Sequence, residues 1–184
     1  VMGVLLTSYD NRWSMDARTE ASIISDQVPD TLLTILMDEV NHWQHVGANV
    51  NFQHKFEQGA TLSFDADYLK YDNSNPSNYL NRYADIQDLL FFNNETFSGK
   101  NTPIDVAVGK LDYNKQRSER VGMQAGLKAT VSRFENDVTV SYSEGGFTSL
   151  DPELTARYEL DESITAAYSA FDINLDEKSD MKLG

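Results

Sequence analysis

Alternation of apolar and polar side chains within VGMQAGLKATVSRF, residues 121–134, constrains the fold of this chain more than any other feature. The apolar positions are Val121, Met123, Ala125, Leu127, Ala129 and Val131, and the positions between them include Gln124, Lys128, Thr130 and Ser132. Successive side chains of a β-strand point to opposite faces, so this pattern predicts a strand with one apolar and one polar face. The pattern does not fit a helix, whose faces repeat about every 3.6 residues.

The same alternation recurs along the chain. It runs through RWSMDARTEASI (12–23), through the second half of the stretch 32–56, and through TLSFDADYLKY (61–71), which follows a tight turn at EQG (57–59). Later segments, among them IDVAVGKLDY and ITAAYSAFDINL, show it as well. We therefore predict an all-β fold, an antiparallel up-and-down meander of about seven or eight strands.

The region 72–103 interrupts this pattern. It opens with DNSNPS, which is rich in turn-forming residues, and Pro76 cannot donate to a strand ladder. Tyr83, Ile86 and Leu90 have helical spacing, which predicts a short helix near residues 84–91 inside a long loop. Aromatic side chains in such a loop can stack on a ligand, and the candidate ligand contacts are Tyr79, Tyr83, Phe91 and Phe92.

The connections between predicted strands are of two kinds. EQG, KQRSE and DES are short, whereas SDQVPD, the region 72–103, SEGGFTSLD and DEKSD are mostly longer. Short turns on one side and long loops on the other are typical of an outer-membrane barrel. The stretches 32–56 and 120–143 are also far longer than ordinary strands of about 5 to 6 residues. They predict strands that project beyond a bilayer or bend at bulges.

Membrane insertion by helices is excluded by the sequence. No apolar run approaches the roughly 18 residues of a membrane helix, whereas a barrel strand needs only about 9 to 11. Most tyrosines and tryptophans, such as Tyr68 and Trp43, lie near predicted strand ends, as aromatic side chains do at a membrane surface. The sequence thus favours part of a membrane barrel with outer-membrane lipid as its partner. Aromatic core packing in a soluble sheet is the alternative.

Charge and residue types exclude several functions. The formal net charge of −14 opposes binding to nucleic acid, and the chain has no cysteine for disulfides or thiolate ligands. His42 and His45 are predicted to point to opposite faces of a strand, so they cannot hold one metal ion together. Asp65 and Asp67 share a face that we interpret as solvated or lumen-facing. We predict no catalytic, cofactor-binding or metal-binding residues and no enzyme activity.

Two segments carry a resemblance to a known family. They are NVNFQHKFEQGATLSFDADYLKYDNSNPSNY (49–79) and GKLDYNKQRSERVGMQAGLKATVSRFENDV (109–138), in that order along the chain. Together they resemble outer-membrane β-barrels of the TonB-dependent-receptor type from Gram-negative bacteria. The resemblance runs through most of residues 43–183 and is weaker before Trp13.

The resemblance implies a location and a function. Residues 1–184 would form one segment of a larger barrel in the bacterial outer membrane, with a plug domain elsewhere in the protein. Such receptors bind solutes and take them up with energy from an inner-membrane complex. The alternative function is a soluble surface or periplasmic β-domain that binds glycan or protein through its loops. Taken alone, the segment would close on itself as a small barrel or self-associate, because its apolar stripes and sheet edges need cover.

Overall fold

The computed structural model describes residues 1–175 and 179–184, and it confirms the all-β antiparallel meander. The strands are β1 (Met2–Ser25), β2 (Val28–Lys55), β3 (Ala60–Ser74), β4 (Ser77–Asp85), β5 (Leu90–Ser118), β6 (Val121–Glu144), β7 (Phe147–Leu150), β8 (Ala156–Asn174) and β9 (Asp180–Leu183). They form one sheet in the order β1-β2-β3-β5-β6-β8-β9, with β4 between β2 and β5 and with β7 beside β6. The prediction of unusually long strands over 32–56 and 120–143 is confirmed, since β2 has 28 residues and β6 has 24.

The predicted loop over residues 72–103 is wrong, because β3 and β4 together behave as one strand. His42 pairs with Ser74 and Glu39 pairs with Ser77, so Asn75 and Pro76 face the two intervening residues of β2 with nothing inserted. The ladder continues through this step: Asn75 donates its backbone N–H to the Lys100 carbonyl at 2.8 Å, and the Pro76 carbonyl accepts from Val40 at 3.0 Å. Only the missing N–H of Pro76 interrupts the strand.

The predicted short helix near residues 84–91 is also wrong, and a tight turn connects β4 to β5 instead. The Asp85 carboxylate accepts hydrogen bonds from the backbone N–H groups of Gln87, at 2.8 Å, and Leu89, at 2.9 Å. Asp88 adopts a positive φ of 64°. A side chain that bonds its own backbone in this way favours a turn over a helix. The turn reverses the chain so that Tyr83 pairs with Phe92.

The predicted division into short turns and long loops is partly wrong. EQG and KQRSE do lie at the same end of the sheet, but DES lies inside β8 and SDQVPD contains only a two-residue turn. That turn has positive φ at both Asp26 (48°) and Gln27 (66°), which suits the twist of a two-residue hairpin. Residues 176–178 of the predicted DEKSD loop lie outside the described residues.

The sheet has two open edges and almost no core. Its order begins at β1 and ends at β8 and β9, and the described residues include no pairing between these ends, so the predicted self-closure is not observed. The buried apolar residues among those described are Ala60, Ala84 and Val140. Large apolar side chains are instead exposed along the sheet, which a soluble domain of this length would normally bury.

Candidate membrane-spanning band and inner surface

A continuous apolar band crosses one face of the sheet. In one row across six strands, each residue pairs with the next: Met2, Phe52, Phe64, Leu111, Leu127 and Ala167. The neighbouring rows add Val4, Leu6, Ala48, Val50, Leu62, Ala66, Tyr68, Ala107, Gly109, Tyr113, Met123, Ala125, Ala129, Val131, Phe171 and Ile173. Their polar members are His54, Ser163, Thr165 and Ser169, and the charged Lys115 lies in the row of Met123, near the turn at residues 119–120. We call this face the outer face and the opposite one the inner face.

The apolar band ends abruptly at a row of charges, which we call the boundary row. Lys70 pairs with Asp105, Asp105 with Arg133, and Arg133 with Asp161, so charges of alternating sign cross four strands on the outer face. Arg133 lies 3.8 Å from the Asp161 carboxylate, and further charges of Glu135, Arg157 and Glu159 lie around it. Charges are costly inside hydrocarbon, so the boundary row marks where the strands enter water.

The height of the band matches a bilayer. On β6 the outer face is apolar from Val121 to Val131, and the charge of Arg133 follows. Ten steps of about 3.3 Å extend about 33 Å along the strand, and the usual barrel tilt of about 40° reduces this to about 25 Å. The far end of the band lies beside the turns at residues 56–59 and 119–120. Short turns therefore bound one side of the band and long strand extensions the other.

Tyr68 lies where the band meets the boundary row. Its ring is on the outer face beside Ala107, and its hydroxyl donates to the Asp105 carboxylate at 2.6 Å. An apolar ring with a polar tip suits the boundary between lipid and water. This geometry supports the interpretation of the tyrosine as an interface residue.

The inner face at the level of the band is polar and hydrogen-bonded. The Asn49 amide donates to the Asp67 carboxylate at 2.6 Å, and Asp65 lies on the same face. Lys110 forms an ion pair with Asp112 at 2.6 Å, and the Tyr168 hydroxyl also bonds to Asp112. The predicted lumen-facing position of Asp65 and Asp67 agrees with this arrangement.

Gly126 allows Tyr168 to reach Asp112 across β6. Gly126 pairs with both residues, and a Cβ at this position would collide with the Tyr168 ring and the Asp112 carboxylate. An aromatic ring that covers a strand glycine restores packing that the glycine lacks. The polar cluster of Lys110, Asp112 and Tyr168 thus depends on glycine at this site.

Beyond the boundary row the two faces exchange character on β1, β3, β6 and β8, whereas the outer face of β2 keeps Leu32, Leu36 and Val40. We call this part of the sheet, which ends at the turns 26–27, 86–89 and 145–146, the outer extension. On β6 the outer face continues with Arg133, Glu135, Asp137, Thr139, Ser141 and Ser143, whereas the inner face carries Phe134, Asn136, Val138, Val140 and Tyr142. β1 changes in the same way, from Met2, Val4 and Leu6 on the outer face to Trp13, Met15 and Ala17 on the inner face. The signal for this change of phase lies in the sequence at residues 131–134, where Arg133 follows Val131 on one face and Phe134 follows Ser132 on the other, and the predicted single alternation did not include it.

A family comparison agrees with this geometry. Residues 54–184 match the model of the outer membrane protein beta-barrel family. The chain belongs to that family. No curated protein matches the chain. Family membership places this barrel protein in the bacterial outer membrane and excludes the alternative of a soluble β-domain. The part of the chain that the structure describes contains no helix long and apolar enough to cross a membrane.

The candidate ligand contacts of the barrel lie on strands of the outer extension and not in a loop. Tyr79, Tyr83 and Phe92 share the inner face, and the rings of Tyr83 and Phe92 have centroids 5.3 Å apart. Phe91 lies at the bulge between the pairs Tyr83–Phe92 and Ala84–Leu90 and is exposed. The structure thus brings Tyr83 and Phe92 together and places Tyr79 on the same face. Their contact with a ligand stays a prediction.

The histidines are separated as the alternation predicts. His42 is on the outer face, bonded to Asp10 at 2.8 Å, whereas His45 stacks on Tyr71 on the inner face with ring centroids 4.5 Å apart. Hydrogen bonds from Gln44 and then His42 hold the pKa of the Asp10 carboxyl below its ordinary value of 3.8. Among the described residues, no group of three or more His, Asp or Glu side chains is placed to hold a metal ion.

Proposed function

We propose that this sheet is a section of the wall of a larger outer-membrane barrel of the TonB-dependent-receptor type, which binds a solute and admits it across the membrane. The observation that carries the proposal is the exchange of faces at the boundary row. Below this row the inner face bears Asn49, Asp67 and Lys110, which require water or a polar protein surface. Above it the inner face bears aromatic side chains that can receive a solute before it enters.

The open edges support a larger barrel. In the described part of the sheet, β1 has no partner strand along one of its edges. On the edge away from β6, β8 has no partner strand over residues 156–170. Inside hydrocarbon each unpaired backbone group costs several kcal/mol, so only a closed ring of strands is stable there. Further strands at both edges satisfy this requirement. The proposed role is transport, and no catalytic step is assigned to any residue.

The test uses thiol labelling in outer membranes, because the chain contains no cysteine and each variant has a single thiol. Leu127→Cys places a thiol on the outer face at mid-band, and the neighbouring Lys128→Cys places one on the inner face. A charged, membrane-impermeant maleimide is expected to label Lys128→Cys and to leave Leu127→Cys unlabelled. Thr139→Cys, on the outer face of the outer extension, is the accessible control.

Solute passage is tested on the same variants. A bulky thiol reagent on Lys128→Cys is expected to lower uptake or ion conductance, whereas the same reagent on Thr139→Cys leaves it unchanged. Uptake that stops when the proton-motive force is collapsed supports energy coupling of the receptor type. Labelling of Leu127→Cys with protection of Lys128→Cys would contradict the proposed orientation. Conductance that is insensitive to the block would contradict passage along the inner face.

A further inference from the structure

Two adjacent rows of the inner face form a distinct surface just above the level of the boundary row. The first, which we call the aromatic row, contains Tyr9, His45, Tyr71, Ile104, Phe134 and Leu160, and each residue pairs with the next across six strands. The second, which we call the amide row, contains Asn11, Trp43, Asn73, Thr102, Asn136 and Tyr158. Both rows run across the strands and lie about 7 Å apart along them.

The aromatic row contains four rings, those of Tyr9, His45, Tyr71 and Phe134, and two aliphatic members, Ile104 and Leu160. Neighbouring strands are about 4.8 Å apart, so Tyr71 and Phe134, two strands apart, are separated by about 10 Å. The His45 ring lies nearly parallel to that of Tyr71, with an interplanar angle of 20°. Stacked His45 and Tyr71 therefore hold each other in place before any ligand arrives.

The amide row is held in place by its own hydrogen bonds. Asn73 is 4% exposed and donates to the Asn41 side-chain oxygen at 3.0 Å, and Thr102 is 8% exposed and donates to the Asn136 side-chain oxygen at 2.8 Å. Because Asn136 accepts this bond through its oxygen, its amide nitrogen remains as a donor. Within the described residues that nitrogen bonds to no other side chain.

Neither row contains Asp, Glu, Lys or Arg, in a chain whose residues are 24% charged. Burying a charged ligand without a charged partner is costly, so a surface of this composition favours a neutral ligand. His45 and Tyr71 cover one ring face of each other, so the ring faces open to a ligand include those of Tyr9 and Phe134, which stack on no other ring among the described residues. In the amide row Asn73 and Thr102 are buried, and the Asn136 amide nitrogen is the donor beside these rings. A ligand that matches both rows has an apolar face and a rim of hydroxyl groups.

We infer that the two rows bind a neutral oligosaccharide, whose pyranose rings stack on the aromatic row while their hydroxyl groups bond to the amide row. This inference rests on the proposed solute-binding function and names its substrate class. The spacing of neighbouring strands is close to the length of one sugar unit, so a short chain lying across the strands contacts several rings at once.

The test measures binding of maltohexaose, cellohexaose and chitohexaose to the protein in detergent micelles, by calorimetry and by the fluorescence of Trp43. At least one hexasaccharide is expected to bind and to change the emission of the wild type, and the change is lost in Trp43→Phe. Tyr71→Ala and Phe134→Ala are each expected to weaken binding about tenfold or more, as for a packed aromatic anchor. Phe97→Ala, an aromatic truncation on the outer face, is expected to change affinity less than twofold.

Asn136→Asp keeps the size of the side chain and removes the amide donor, so it is also expected to weaken binding. Circular dichroism and heat-dependent gel mobility check that each variant is folded. Absence of binding for all three hexasaccharides, or binding that survives both Tyr71→Ala and Phe134→Ala, overturns the inference. If the labelling pattern of Lys128→Cys and Leu127→Cys still holds, the proposed transport function stands without this substrate class.

Discussion

The same strands face different solvents in their two halves. The lower half is the apolar band, and the upper half is the outer extension. Between Val121 and Val131, β6 turns its apolar side chains outward, and between Arg133 and Glu144 it turns polar side chains outward. The register of β6 with β5 and β8 continues without a shift through the change at Val131 to Arg133, so the backbone ladder does not cause it. The solvent on the outer face therefore decides which face is apolar, and the position of the change locates the membrane surface.

The two halves also differ in their tolerance of proline. The chain has four prolines, at positions 29, 76, 103 and 152, and all of them lie in the outer extension. Pro103 is inside β5, and Pro76 lies at the step between β3 and β4, both in the sheet interior, where proline is normally avoided. Beyond the boundary row, water can satisfy a backbone carbonyl that has lost its partner. On the lipid-facing side of the band no water is available, and each such loss is costly.

A proline placed inside the band should lower the free energy of unfolding more than any other change of these strands. Ala66 pairs with Val50 and Gly109 at the level of the band, so Ala66→Pro removes a ladder bond inside hydrocarbon. We expect a loss of at least about 3 kcal/mol in the free energy of unfolding. Pro76→Ala, its control in the outer extension, should change that energy by less than about 1 kcal/mol. Denaturant titration in phospholipid vesicles measures both, and equal effects would refute the difference between the halves.

A charge placed on the outer face should also separate the halves. Leu127→Arg lies at mid-band, where an arginine facing lipid costs about 2–4 kcal/mol. Thr139→Arg lies on the same strand and the same face, but in the outer extension, and should cost less than about 0.5 kcal/mol. The same vesicle titration measures this pair. A large cost at Thr139 would mean that the boundary row does not mark the membrane surface.

How far the sequence predicts the structure also differs between the halves. In the band the strands were predicted correctly, because Val121 to Val131 alternate without exception against lipid on one side. In the outer extension the turn-forming residues of DNSNPS, residues 72–77, indicate a loop by local chemistry. Pairing with β2 and β5, which no local pattern reveals, overrides that preference and makes strands on both sides of Asn75 and Pro76. The aromatic and amide rows could not be predicted, since each combines single residues from six strands whose register is a tertiary property.

Side-chain hydrogen bonds should contribute more to the free energy of unfolding in the outer extension than in the band. Asn73 is buried there and donates to the Asn41 side chain and to the His42 carbonyl. Asn73→Ala leaves these acceptors without their donor and should cost about 1–2 kcal/mol in unfolding titrations. Asn93→Ala, at an exposed position on β5, is the matched control and should be nearly neutral. If both variants are neutral, packing and not hydrogen bonding holds this region.

The smallest effect concerns Asp10, which lies on the outer face one row beyond the boundary row. Its pKa is held below 3.8 by the hydrogen bond from Gln44 and then by that from His42. A lowered pKa in the folded state means that the stabilisation is present above about pH 4 and is lost as the pH falls through the folded value. Gln44→Ala removes the larger cause, so the Asp10 carboxyl should titrate closer to 3.8 in this variant, as followed by carbon NMR of the side chain. A wild-type Asp10 that titrates at or above 3.8 would show that these hydrogen bonds do not form in solution. Because the Asp10 carboxyl is exposed to water, the change in stability should be small. A charge placed on the outer face below the boundary row should change the stability far more.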